Sequence, residues 1–77
     1  MVIDHGGERW EYLQLADILR ARVTGGTYRP GDKIPPLLDL QAEFGLSSMT
    51  VRRGIGVLVT EGLLVRVPGR GTFVTRR

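Results

Sequence analysis

The chain has 77 residues and a mass of 8.5 kDa, which suffices for one small domain with a single hydrophobic core. Hydrophobic residues make up 42% of it and charged residues 25%, a globular composition that argues against disorder. With a net charge of +3, no cysteine, one histidine and no long apolar run, the sequence predicts a cytoplasmic protein without disulfides, metal, cofactor or membrane span.

The chain is expected to begin with a tail and an amphipathic helix. Residues 1–9 include two adjacent glycines and little apolar character, so we expect a flexible tail there. Apolar residues spaced three and four apart predict a helix over residues 10–24. Gly25-Gly26 ends this helix, because glycine readily adopts the left-handed conformation that follows a helix end.

A turn, a very short strand and a second helix are predicted next. Residues 28–32 contain a Pro-Gly pair and predict a turn, and Lys33-Ile34 can form the strand. Pro35-Pro36 suits a helix start, because proline is tolerated in the first helical turn. The helix that follows is about eight residues long and ends at Gly45.

A third helix and a β-hairpin complete the predicted fold. Ser47 or Ser48 caps a helix over residues 48–61, whose apolar residues fall on one narrow stripe. Two β-rich segments, residues 63–67 and 72–75, flank a turn at residues 68–71 and predict a hairpin. The predicted fold class is therefore α+β, with three helices and a C-terminal hairpin.

Two glycines lie inside the third helix, where each costs about 1 kcal/mol relative to alanine. Gly54 lies near the apolar stripe, so close contact with another helix would explain it. Gly56 faces away from that stripe, and the sequence offers no structural reason for it.

The charges are divided unevenly along the chain. Residues 1–46 contain five basic and seven acidic groups, for a net charge of −2. Residues 47–77 contain six arginines and one acid, for a net charge of +5. A solvated basic face would explain this asymmetry, but a segment so rich in arginine is better suited to a polyanion such as nucleic acid.

The second and third helices have the spacing of a helix-turn-helix, because only Gly45-Leu46-Ser47 separate them. In that motif the second helix enters the major groove and its first residues contact base edges. The candidate DNA-binding residues on this helix are Ser47, Ser48, Met49, Thr50, Arg52 and Arg53. The alternative is that the serines only cap the helix and that Arg52 is an ordinary surface arginine.

The hairpin supplies a second set of candidate contacts. Gly69 allows the backbone to approach a ligand closely, and Arg70 suits the negative potential of a minor groove. Arg53 and Arg66 are expected to contact the DNA backbone or the minor groove, and residues 76–77 form a basic C-terminal end that adds nonspecific attraction. The alternative is that these glycines only form the turn and that Arg70 is solvated.

Several motifs occur in a characteristic order and spacing. They are Tyr28-Arg29-Pro30-Gly31-Asp32-Lys33-Ile34-Pro35, Phe44-Gly45-Leu46-Ser47-Ser48-Met49-Thr50-Val51-Arg52-Arg53, Leu58, Glu61-Gly62-Leu63-Leu64 and Gly69-Arg70-Gly71-Thr72-Phe73-Val74. From Tyr12 to Val74 the chain thereby resembles the DNA-binding domain of the GntR family of bacterial transcription regulators. The closing Gly-Arg-Gly-Thr-Phe-Val is most similar to the HutC-like and YtrA-like branches.

The resemblance implies a winged helix-turn-helix over residues 10–75. It implies a sequence-specific DNA-binding regulator, here expected to be a repressor, with residues 48–61 in the major groove and the wing tip, residues 68–71, in the minor groove. It also implies binding to a palindromic operator as a homodimer. The family places an effector-binding domain after the wing, so we expect no effector site within residues 1–77.

The chain departs from the family pattern at the start of the second helix and after the turn. Pro36 stands where the family has a capping serine, and Leu38 stands where it has a DNA-contacting arginine. Ser48 stands where the family often has an arginine that contacts guanine, whereas Thr50, Arg52 and Gly69 match. Each lost arginine contact would remove roughly 1–3 kcal/mol of discrimination, so we expect altered specificity.

The sequence does not favour an enzyme, because its single histidine, His5, lies in the predicted tail and no nucleotide-binding glycine motif is present. The alternative function is a winged-helix protein-interaction module with weak or nonspecific DNA binding. An exposed Leu38 would favour this alternative, whereas a buried Leu38 would belong to the core.

Overall fold

The computed structural model describes residues 2–76, so Arg77 of the predicted basic end lies outside the described residues. The helices are α1 (Glu11–Thr24), α2 (Leu37–Phe44) and α3 (Ser48–Thr60), and the strands are β1 (Leu64–Val67) and β2 (Gly71–Val74). The predicted α+β class with three helices and a hairpin wing is confirmed, and each predicted boundary agrees to within one residue.

The three helices and the base of the hairpin enclose one apolar core. Its buried side chains come mainly from the three helices, β1 and β2 each add one residue, and the segments before and between the helices add three more. The largest side chains with almost no exposed surface are Leu15, Leu19, Leu40, Val51 and Leu58. Leu64 and Val74, which pair across the hairpin, are also buried and attach its base to the helices.

Helices α1 and α3 cross closely at Gly54. A Cβ atom at this position would lie 2.9 Å from Leu15 Cδ2 and 3.0 Å from the Tyr12 carbonyl oxygen, both of them on α1. Because these distances are shorter than normal carbon contacts, the absence of a side chain is what permits the crossing. The interpretation of Gly54 as a helix-contact residue is therefore confirmed.

The turn between α2 and α3 is as short as the sequence indicates. Gly45 follows α2 with φ +66°, a left-handed conformation that favours glycine. Ser47 precedes α3 in an extended conformation, and its hydroxyl accepts a hydrogen bond from the Thr50 N–H at 3.2 Å. Ser47, rather than Ser48, is therefore the N-cap of α3.

Strands β1 and β2 pair antiparallel, with Leu64 opposite Val74 and Val67 opposite Gly71. The predicted short strand at residues 33–34 is reduced to a single bridge between Lys33 and Phe73 on the outer edge of β2. The Ile34 N–H donates to the Thr72 carbonyl at 2.9 Å, so this segment holds β2 from the side opposite β1.

Residues 2–9 differ from a loose tail because they are attached to α1. Ile3 is buried in the core, and the Asp4 N–H donates to Gln14 Oε1 at 2.7 Å. Gln14 Nε2 donates in return to the carbonyls of Asp4 and Arg9. The sequence analysis missed this attachment because the partners lie five and ten residues apart in the chain.

None of the helices within residues 2–76 combines the length and the apolar character needed to cross a membrane.

Candidate nucleic-acid interface

The start of α3 presents a cluster of small and apolar side chains to solvent. Ser47 and Met49 are exposed, and Ser48 and Thr50 are partly exposed. The Ser47 hydroxyl donates to Thr50 Oγ1 at 2.9 Å, which orients both hydroxyls at the helix N-terminus. Met49 is 71% exposed although it is apolar, so the core does not account for its position.

A cleft of about 600 Å³ lies between this helix and the wing. One wall contains Arg52 and Ile55 of α3, and the opposite wall is the wing from Arg66 to Thr72. The residues that line it include four cations and no acid; the cations are Lys33, Arg52, Arg66 and Arg70. The geometry therefore brings together three of the arginines selected from the sequence, Arg52, Arg66 and Arg70, which lie up to 18 positions apart in the chain.

Arg66 contacts α3 directly. Its Nη2 donates to the backbone carbonyl of Arg52 at 3.1 Å, so part of its hydrogen-bonding capacity is used within the protein. Arg66 was expected to contact the DNA backbone or the minor groove. Its contact with α3 could not be predicted, because nothing in the pattern of a strand shows which helix carbonyl lies beside it.

Arg53 lies on a different side of α3 from the cleft. The centre of its guanidinium is 4.2 Å from the centroid of the Tyr12 ring on α1, a cation–π geometry. Arg53 is exposed, yet it is not among the residues that line the cleft. This placement gives Arg53 a packing role between α1 and α3 that the sequence analysis did not anticipate.

Lys33 is the cation that the sequence analysis missed. Its side chain runs across Gly71, where an added Cβ atom would lie 2.6 Å from Lys33 Cε. The bridge between Lys33 and Phe73 explains this position, because it places the lysine on the edge of β2 beside the wing tip. The available signal was the position of Lys33 in the motif of residues 28–35, but that motif by itself predicts only a turn and a very short strand.

At the wing tip, Gly69 has φ +73°, a conformation that favours glycine, and no protein atom lies within 4 Å of where its Cβ would be. Arg70 is exposed beside it. Arg76 lies away from the cleft, with its guanidinium against Gly31 on the other side of the wing.

Four basic side chains outside the cleft are paired with acids. Among residues 2–76, the ion pairs involve His5, Arg9, Arg20 and Arg22 with acidic partners. Arg20 holds Glu61 with two hydrogen bonds of 2.8 and 2.6 Å, which lower the pKa of that carboxyl. The cleft cations form no ion pair with any described acid, so their charge is available to an external anion.

Leu38 is 75% exposed at the start of α2, so it does not belong to the core. Its neighbour Leu37 is partly buried and lines the cleft. An apolar side chain therefore occupies the surface beside the cleft at the position where the resemblance implies a DNA-contacting arginine.

Comparison with known proteins identifies the family. Residues 11–74 match the profile described as "Bacterial regulatory proteins, gntR family". The chain belongs to the gntR family. The resemblance inferred from the motifs is thereby confirmed, and the family consists of regulatory proteins, which agrees with the prediction that the chain is not an enzyme.

The relatives within the gntR family include named repressors. The chain is 43% identical over 63 residues to the histidine utilization repressor of Klebsiella aerogenes. The aligned region covers 82% of the chain and 26% of that repressor. It is 40% identical over 65 residues to the transcriptional repressor NagR of Bacillus subtilis (strain 168), which covers 84% of the chain and 27% of the relative. The chain thus spans about a quarter of the length of these two curated relatives.

Solved structures support the same assignment. The DNA-binding domain of AraR in complex with operator ORE1 superposes with a TM-score of 0.88 at 36% identity, covering 97% of this chain and 98% of that one. YtrA from Sulfolobus acidocaldarius, a GntR-family transcription factor, superposes with a TM-score of 0.87 at 32% identity. The superposition covers 97% of this chain and 79% of YtrA. These findings favour a DNA-binding regulator over a protein-interaction module.

Proposed function

We propose that residues 10–75 form the sequence-specific DNA-binding module of a cytoplasmic transcription regulator that acts as a repressor. The proposal rests chiefly on one observation, the cation-lined cleft between α3 and the wing. The names of the relatives support repression, and the AraR domain in its operator complex supports double-stranded DNA as the ligand.

The cleft has the arrangement needed to hold one strand of a DNA backbone. When a helix lies in the major groove and a wing lies in the adjacent minor groove, one phosphate strand passes between them. Lys33 and Arg70 then lie on the wing side of that strand, and Arg52 lies on the helix side. The absence of lining acids removes the charge repulsion that a phosphate strand would otherwise meet.

Base recognition is assigned to the first two turns of α3. Arg52 can form two hydrogen bonds with guanine O6 and N7, and the hydroxyls of Ser48 and Thr50 can bond bases or phosphates. Ser47 acts mainly by capping the helix and orienting Thr50. Met49 is an exposed apolar group on the same turns that suits the methyl group of thymine.

The module presents one α3 and one wing, which cover a single half-site. We therefore propose that two copies bind a palindromic operator as a homodimer, because two-fold symmetry in the protein is matched by symmetry in the operator. The role of residues 2–76 is DNA recognition, and no small-molecule effector is assigned to them.

The proposal is tested by selection from random-sequence duplexes at two salt concentrations, followed by sequencing of the bound fraction. We expect one enriched palindrome, with affinity that falls steeply between the two concentrations because phosphate binding releases counterions. Salt-sensitive binding without enrichment would contradict the sequence-specific part. An absence of binding even at low salt would contradict DNA binding altogether and would favour the protein-interaction module.

A further inference from the structure

The hydrogen bond between Arg66 and the Arg52 carbonyl, together with the absence of a side chain at Gly56, forms a connection between the wing and α3. In an α-helix the carbonyl of residue 52 already accepts a hydrogen bond from the N–H of residue 56. A carbonyl oxygen has two lone pairs, so it can accept a second bond from outside the helix when its surroundings are open. Arg66 Nη2 supplies that second bond at 3.1 Å.

Gly56 explains why this carbonyl is accessible. Side chains on a helix tilt toward its N-terminus, so a side chain at position 56 would cover the turn that contains the Arg52 carbonyl. A Cβ atom at position 56 would lie 3.5 Å from Arg66 Nη2, and apart from the neighbouring backbone of α3 no other heavy atom of the described residues would lie within 4 Å of it. The space beside Gly56 is therefore occupied by one group, the guanidinium of Arg66.

Arg66 lies close to the wing tip, so its contact with α3 can restrain the position of the tip. Arg66 pairs with Thr72, one step from the Val67–Gly71 pair that begins the tip. Residues 31–34 hold the outer edge of β2 through backbone hydrogen bonds, but they do not connect the wing to α3. The Arg66–Arg52 contact is the hydrogen bond that joins β1 to α3, and it does so close to the tip.

We propose that Arg66 is a positioning residue, which sets the distance and angle between the wing tip and α3 by binding the Arg52 carbonyl in the space left by Gly56. This inference rests on the proposed function, because it assigns Arg66 to the arrangement of the two DNA-contacting elements. A wing that is already fixed relative to α3 before DNA binds loses less conformational freedom on binding. Arg66 therefore raises the affinity for DNA without itself contacting a phosphate.

The decisive variant is Gly56→Val, which keeps every charge and adds two γ-carbons beside the guanidinium. Gly56→Ala is its matched control, because its Cβ would stay at an ordinary contact distance from Arg66. Valine is a better helix former than glycine, so neither substitution is expected to lower the stability of α3. Equal or higher unfolding temperatures than the wild type would verify this.

Binding is measured on the selected operator by fluorescence anisotropy over a salt series. We expect Gly56→Val to weaken binding about fivefold, a typical value for one hydrogen bond, with an unchanged salt dependence, and Gly56→Ala to bind like the wild type. In the Arg66→Ala background, Gly56→Val should have no further effect, because the two changes break the same contact. Hydroxyl-radical protection by the wing should decrease, while protection of guanine N7 by α3 should persist at saturation.

The opposite pattern would overturn the proposal. If Arg66 contacts phosphate instead, Gly56→Val binds like Gly56→Ala, and Arg66→Ala reduces the salt slope by about 0.9. If the wild type binds no duplex, the proposed function fails, but the inference is still tested by ¹⁵N relaxation of residues 67–71 in the free protein. Tip motion that is greater in Gly56→Val than in Gly56→Ala supports the contact, and equal motion refutes it.

Discussion

Arg52 and Arg70 face the same cleft from opposite walls, yet their surroundings assign them different tasks. Arg52 projects from the second turn of a rigid helix, where a fixed guanidinium can distinguish one base from another. Arg70 projects from an exposed turn between two strands, and we propose that its positive charge meets a groove and its phosphates. Removing the same charge at these two positions is therefore expected to affect DNA binding differently.

We expect Arg52→Ala to lose roughly 1–3 kcal/mol of discrimination at one base pair of the operator. Arg70→Ala should weaken binding similarly for all sequences and reduce the salt slope by about 1. Both are measured by anisotropy on a panel of single-base operator variants. Arg29→Ala is the matched control, because Arg29 is an exposed arginine that does not line the cleft. Identical preferences in Arg52→Ala and the wild type across the panel would contradict the assignment.

Met49 offers a separate test of base recognition, because its exposed thioether side chain can contact a thymine methyl group. We expect replacement of one thymine by deoxyuridine to weaken wild-type binding about threefold to fourfold, the value of one buried methyl group. Met49→Ala should lose this sensitivity while its affinity for the deoxyuridine duplex stays close to that of the wild type. The prediction fails if no single thymine in the operator shows the effect.

At the scale of the elements, two glycines of α3 differ in the space around them. Gly54 faces α1, where even a methyl group would collide with Leu15 and the Tyr12 backbone. Gly56 faces the wing, where a methyl group has room. The intrinsic preference of the helix for alanine is the same at both positions, so packing alone decides the sign of the effect.

The pair of alanine substitutions checks this contrast. Gly54→Ala should lower the free energy of unfolding by about 1–3 kcal/mol, because overpacking forces α1 and α3 apart. Gly56→Ala should raise it by up to about 1 kcal/mol through helix propensity. Both values come from urea unfolding followed by circular dichroism. Changes of the same sign would show that the crossing at Gly54 is less tight than described.

The pairing of α1 with α2 predicts a dependence of stability on pH. Hydrogen bonds from Arg22 lower the pKa of Glu43, although partial burial opposes the shift. The folded state therefore binds a proton less readily than the unfolded state, and the stabilisation is complete above the ordinary glutamate pKa of 4.5. It is lost as the pH falls from about 5 through the lowered pKa of the folded state.

We expect Glu43→Gln to lower stability near neutral pH by about 0.5 kcal/mol, in the range of partly exposed ion pairs. The same variant should show a smaller loss of stability between pH 6 and pH 3.5 than the wild type. Urea midpoints at several pH values measure both effects. Glu8→Gln is the control, because Glu8 is exposed and forms no ion pair with a described residue. Parallel pH profiles for the wild type and Glu43→Gln would contradict the assignment.

At the scale of the whole molecule, one small core supports both the helix-turn-helix and the wing. Leu58 of α3 is fully buried, and the base of the hairpin enters the same cluster through Leu64 and Val74. A domain of this size is stabilised by only about 4–11 kcal/mol. Loss of one large core side chain is therefore expected to affect the helices and the wing together.

Leu58→Ala should cost about 2–5 kcal/mol, a large part of the total stability. We expect helix signal and wing amide protection to be lost in a single transition, and saturating operator DNA to raise the unfolding temperature of the variant. Circular dichroism and hydrogen exchange provide the two measurements. Wing amides that remain protected after the helices unfold would show that the hairpin is stable independently of this core.

Local sequence signals determined the elements of this protein. Proline, glycine and serine at helix ends, and apolar residues at helical spacing, act over about four residues, so the three helices, the Gly45 turn and the hairpin could all be predicted. The family motifs supported the interpretation of the hairpin as a wing beside α3. Among the nine candidate interface residues, the same local chemistry limited the N-cap of α3 to Ser47 or Ser48, and the structure identified Ser47.

Only the tertiary structure decided which side chains meet. Arg53 contacts the Tyr12 ring, Arg66 contacts the Arg52 carbonyl, and Lys33 lies across Gly71. Each of these pairs is separated by 14 to 41 residues, and its geometry depends on how two elements cross or pair. No periodicity within a single element contains that information. The same reason explains why Gly56 had no interpretation until the guanidinium of Arg66 was found beside it.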